Sequence, residues 1–267
     1  MAEVHRQGAK AGSEIQMKDA RRVDLVRWSE HLSAQRRHPE LVKAIARAAA
    51  AGSICEDLRT ALASLRLIET RQKESTREDI RTINDETTIT GALFTQAVIL
   101  YARATFTTGR RPSLLGEAGL TDEERATHDE VKLLRNGAIG HFGRGEGLQD
   151  GPLVREAVIL SFTRRQRQLG VYIVRAQHKA RLATRLIHLI KVRLREVAER
   201  QNALFDKVDR LLSEAVKSDP VLGPSLPQFQ FDVESFCGSP EAARRPHAQL
   251  EAGEVEDMDY VISVPNL

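Results

Sequence analysis

Arg135, Asn136 and His141 set a fixed cation, a neutral polar group and a titratable base close together in L-L-R-N-G-A-I-G-H-F, residues 133–142. Cleaving RNA without a metal needs those abilities: a base for the 2'-hydroxyl proton, an acid for the leaving oxygen, and a cation for the charged phosphorane. Histidine suits the proton transfers because its pKa lies near neutral. Arginine suits the third, because its planar fork spans two phosphate oxygens and stays charged. Asn136 would orient either partner or the phosphate. A structural reading stands beside this one. There His141 caps a helix end on a carbonyl, and Arg135 makes a salt bridge to Asp129 or Glu130. A second Arg/His pair, Arg181 with His188, has an apolar residue after the arginine, Leu182, and falls inside a regular helical pattern. It reads as surface charge.

The chemistry needs a scaffold, and the composition narrows its class. Of 267 residues, 41% are hydrophobic, 29% charged and only 4% aromatic, so the core must come from Leu, Ile, Val and Ala. That favours helices over a sandwich or barrel. Net charge is only +3, yet residues 161–200 hold eleven Lys or Arg against two Glu, and residues 251–267 hold five acids and no base. A basic middle with an acidic end points to an anionic partner, or equally to a solvated helix face with a tail. Cys55 and Cys237 lie far apart with no CxxC, and no metal-ligand spacing appears, so neither a metal nor another cofactor is expected. No apolar run is long enough for a membrane span or a signal peptide, so a cytoplasmic location is expected.

Four regions follow from the patterns. Residues 1–18 are polar and aperiodic and read as disordered. Residues 19–72 read as two helices, the first over 19–35 and the second from Pro39, kinked or divided at Gly52-Ser53. Residues 73–215 read as the main helical domain, opened by a capping box at Ser75 and Glu78, with a second box at Thr121 and Glu124 starting the helix that carries Arg135. Within it, Val158-Ile159-Leu160 and Val171-Tyr172-Ile173-Val174 predict a β-hairpin at about 153–176 with a basic connection. Then Ala183, Ile187, Ile190, Leu194, Val197, Leu204, Val208 and Leu211 form a heptad seam broken only by Gln201, fit for a core or a dimer interface. Residues 216–267 read as a mostly disordered acidic tail. The expected fold is mainly α, an up-and-down bundle with a β-hairpin insertion.

L-L-R-N-G-A-I-G-H resembles the R-[polar]-x(3–5)-H motif of the HEPN superfamily (higher eukaryotes and prokaryotes nucleotide-binding). With A-V-I-L-Y-A-R-A-T-F-T-T-G-R-R and L-T-D-E-E-R before it, residues 75–215 resemble the bacterial branch associated with abortive infection. The resemblance implies a helical, frequently dimeric core and, in many members, metal-independent endoribonuclease activity with Arg135, Asn136 and His141 as the active-site set. The leading expectation is a toxin or anti-phage effector that cleaves RNA as a homodimer, restrained by an antitoxin or another defence-system protein. One candidate catalytic histidine per chain supports the dimer, since the reaction needs both a base and an acid. The alternative is a non-catalytic module that binds RNA or a protein; nucleotide binding without turnover is a third reading. Arg164, Arg165, Arg167, Arg181 and Arg185 are the expected RNA contacts in either of the first two.

Overall fold

The computed structural model describes residues 22–74, 80–106, 109, 111–140, 144–162, 167–244 and 248. Asp24 starts the first helix. Its carboxylate accepts from the Val26 and Arg27 amides at 2.9 and 3.1 Å, satisfying two donors that a helix start leaves open. Helix α1 is therefore Leu25–Ala34, later than residue 19. The chain ahead of it is occupied otherwise, with Val23 bridging Gln230 and the Asp24 amide bonded to the Phe229 carbonyl at 2.8 Å.

Helix α2 spans Pro39–Glu74 without the break expected at Gly52-Ser53. Ala50, Ala51, Ile54 and Cys55 around that pair are all buried, and this packing outweighs the weak local propensity. Helix α3 is Ile80–Thr105; the capping box expected at Ser75 and Glu78 lies outside the described residues. Helix α4, Asp122–Leu133, opens on the expected box. The Glu124 amide donates to Thr121 Oγ1 at 3.3 Å, and the Thr121 amide donates to Glu124 Oε2 at 2.9 Å. After α4 come the strands β1, Val154–Phe162, and β2, Arg167–Arg175, then helix α5, Ala180–Ser218. Among the described residues the fold is mainly α with one antiparallel hairpin, as the periodicities predict.

Two apolar clusters show how the long helices lie. Leu58, Leu65, Phe94, Tyr101, Leu186 and Ile190 share the larger one, which joins α2, α3 and α5. The N-terminal part of α2, through Leu41 and Ile45, packs with Val208 and Ala215 near the end of α5. Hence α2 and α5 run antiparallel. Three sequence expectations are decided here. The boundary at 72/73 does not separate two cores, because α2 is the central wall of the larger one. The heptad seam is consumed inside the chain: Ala183, Ile187, Ile190, Val197 and Val208 are buried against α2 and its neighbours, so it offers no free dimer face.

The third change concerns the tail. Residues 222–244 carry helix α6, Leu222–Ser225, a 3-10 turn at Leu226–Phe229 and helix α7, Val233–Cys237. Leu222 is buried with Trp28 and Leu32, and the Trp28 indole donates to Ser225 Oγ at 3.1 Å. Few apolar residues suffice there because α1 supplies the other half of the surface. Residues 1–18 and the acidic stretch from 251 lie outside the described residues.

Candidate functional site

The motif sits on a widened turn. Directly after α4, Leu134–Ile139 form a π-helical segment, closed by the Gly140 amide donating to the Arg135 carbonyl at 2.7 Å. Such turns are rare and recur at functional sites, because they splay side chains that a regular helix would stack. Leu134 is fully buried and anchors the turn, while Ala138 and Ile139 pack against the main core. Asn136 is exposed and Arg135 half-buried. Arg135 Nη1 donates to Asn136 Oδ1 at 2.9 Å. Among the described residues no carboxylate pairs with Arg135, so the salt bridge to Asp129 or Glu130 does not form. His141 lies outside the described residues.

Glu130 instead holds the scaffold behind the motif. It is 5% exposed, accepts from Arg185 Nη2 at 2.6 Å and from the Gln149 amide at 2.9 Å. It thereby ties α4 to α5 and to the loop after the motif. That loop turns at Gly145 and Gly147, whose φ of +71° and +88° suit glycine; a Cβ on Gly147 would also press Leu133 at 3.2 Å. Lys179, buried, donates to the carbonyls of Asp150 and Pro152 at 3.0 and 3.1 Å and fixes the loop's far end. Buried Asp57 of α2 accepts from Arg103 Nε at 2.9 Å and Arg111 Nη1 at 2.8 Å. This pins the chain leaving α3.

The expected RNA contacts fare unevenly. Arg185, at 22% side-chain exposure, is committed to Glu130. Arg181, at 87%, projects into solvent with Asp150 at 3.8 Å. Arg167 lies on the hairpin, 5.9 Å over the Phe162 ring. Arg164 and Arg165 lie outside the described residues. A cavity of about 230 Å³ beside Arg185 and His188 is lined by Glu123 and Glu124, and His188 stands 3.5 Å from Glu124. Two carboxylates make it a poor seat for phosphate. No helix among the described residues is long and apolar enough to cross a membrane.

Compared with family models, curated proteins and solved structures, the chain matches none.

One polar cluster escaped the sequence reading. Tyr101, His128 and Arg193 are all buried between α3, α4 and α5, and the Tyr101 hydroxyl meets His128 Nδ1 at 2.8 Å. Tyr101 follows Ala97 and Val98, and Arg193 follows Leu189 and Ile190, as ordinary stripe residues would, while His128 sits among Glu124, Arg125 and Lys132, so no local pattern marks the three as one cluster. Burial pushes the Tyr101 hydroxyl up to about 12, so it stays protonated and shares a hydrogen bond with His128 Nδ1. Burial, and then the Arg193 charge, holds His128 below the ordinary imidazole value; burial lowers His178 too. A histidine depressed in the folded state gives stability that is full above about pH 6.5, its unfolded value, and lost as pH falls through the lower folded value. Stability should therefore fall on going from about pH 7.5 to about pH 5. Urea midpoints of wild type and His128→Gln, which keeps an acceptor for Tyr101 but cannot titrate, check this. The variant should show the smaller drop.

Proposed function

We propose that this chain is a metal-independent endoribonuclease of HEPN type, a toxin or anti-phage effector, cleaving RNA at a site composed from two copies. The observation that carries the reading is the Arg135–Asn136 pair on a π-helical turn, directed to the protein surface and unclaimed by a carboxylate among the described residues. A guanidinium held without an acid partner keeps its fork for phosphate oxygens.

In this reading His141 of one copy removes the 2'-hydroxyl proton as that oxygen attacks phosphorus. Arg135 and Asn136 bind the non-bridging oxygens as charge builds. His141 of the other copy protonates the departing 5'-oxygen, leaving a 2',3'-cyclic phosphate and a 5'-hydroxyl. Arg181 and the hairpin arginines supply sequence-independent contacts along the backbone. An antitoxin or defence-system protein would restrain the activity by covering the Arg135 turn.

The test is cleavage of single-stranded RNA in EDTA with end-group analysis. The expected products carry a 2',3'-cyclic phosphate or its hydrolysed form. Activity abolished by chelation, or products with a 5'-phosphate and 3'-hydroxyl, would overturn the mechanism. A non-catalytic interaction module is the second reading, favoured by the exposed apolar hairpin.

A further inference from the structure

Both strands of the hairpin project from the bundle with almost every residue exposed. The register pairs Val158 with Val171, Leu160 with Leu169 and Phe162 with Arg167. Alternation then gathers Val158, Leu160, Phe162, Leu169, Val171 and Ile173 on one face. These are 45–76% exposed, with Leu169 at the top of that range. The opposite face also carries exposed Ile159, Tyr172 and Val174, but Ser161, Gln168 and Gly170 interrupt it. Six large apolar side chains on one exposed face form the kind of patch that marks an interaction site, and an isolated two-stranded hairpin is marginal in water.

We infer that this face packs on the same face of a second copy, about a two-fold axis running along the strands. That axis lays β1 of one copy on β2 of the other, row for row. Val158 then meets the partner's Val171, and Leu160 meets the partner's Leu169. Arg167, already over its own Phe162, meets the second Phe162 ring as well. Arg175 meets Val154 and Glu156 meets Ile173, so no like charges are opposed. A two-fold across the strands would instead set Arg175 on Arg167. A lipid surface fits poorly, because the outer strand edges carry backbone groups that hydrocarbon cannot satisfy.

The chosen axis also brings the feet of the two hairpins together. Each foot is held by the Leu153 amide donating to the Arg144 carbonyl at 2.8 Å, three residues beyond His141 in sequence. The dimer thus places two motif-bearing ends on one side, although association itself needs no catalytic assumption. A face of about 30 by 15 Å gives roughly 450 Å² per copy. Two such faces fall short of the about 1,200 Å² that bounds stable interfaces, so association should depend on concentration.

Sedimentation velocity of the full chain from about 1 to about 200 µM tests this. Wild type should pass from monomer to dimer. Val171→Glu alone and Val158→Lys alone should each raise the dissociation constant at least about tenfold. Their equimolar mixture should regain association, since each new charge then faces its opposite across the axis. Ile159→Glu, on the other face, should behave as wild type. Should Val171→Glu lose its helical circular dichroism, Leu169→Glu replaces it under the same criterion. Wild type monomeric throughout, no effect of the face variants, equal disruption by Ile159→Glu, or no recovery in the mixture would each overturn the inference. So would a monomer that instead co-sediments with phosphatidylserine vesicles. Because no step reads RNA, this result and the cleavage assay can fail separately.

Discussion

Under the proposed mechanism, Arg135→Lys is expected to lower single-turnover RNA cleavage about 10²–10³-fold, nearly as much as Arg135→Ala. The reason is geometric. A lysine keeps the charge but cannot span two phosphate oxygens, nor keep the planar contact that Arg135 makes with Asn136 Oδ1. His141→Ala is expected to lower the same rate about 10²–10⁴-fold, the usual worth of a proton carrier. Folding is not at stake for Arg135, whose turn is anchored by the neighbouring Leu134 rather than by the guanidinium. His188→Ala is the control. Its ring is exposed beside Glu124 and should leave the chemical step unchanged. Retention of a tenth or more of the activity in Arg135→Lys would mean that a point charge suffices. Loss of cleavage in folded His188→Ala would move the site to α5.

Arg185→Ala should unfold the protein more easily and, if the chain binds RNA, leave that affinity alone. The substitution strands a Glu130 carboxylate that is 5% exposed. Breaking a buried pair from one side typically costs about 3–5 kcal/mol. The partial exposure of Arg185 brings the expectation to about 2–4 kcal/mol. For a chain of this size that lowers Tm by roughly 5–15 °C. Glu130→Gln should cost less, since its amide oxygen still accepts from the Gln149 amide. Arg181→Ala should do the reverse, leaving Tm unchanged and flattening the salt dependence of RNA binding. Equal stability with weakened RNA binding in Arg185→Ala would restore it as a contact residue.

The contrast between those two arginines shows what a sequence can carry. Arg181 and Arg185 stand one helical turn apart, and spacing alone makes them one basic face. What separates them is Glu130, 55 residues upstream, and nothing in local periodicity names that partner. The Thr121–Glu124 box, the hairpin and the seam were legible because each is a pattern within one element. The fate of the seam was not, because an apolar stripe says that it packs but not on what. Trp28 and Ser225 lie 197 residues apart, so the segment that covers α1 read as a tail. The candidate site was half legible: residue types announced Arg135 and Asn136, but a π-helical turn has no sequence period of its own.

The antiparallel embrace of α2 and α5 has a consequence for the ribosome. Between Glu74, where α2 ends, and Ala180, where α5 begins, lies the whole motif-bearing middle of the chain. At about 5–20 residues per second, α2 waits roughly 5–20 s after synthesis before its second wall exists. During that interval α1 and α3 can cover it, but α5 cannot. The larger core therefore closes late, after the Arg135 turn and the hairpin have been made, so a nascent chain carries the Arg135 turn before it has the bundle that positions it.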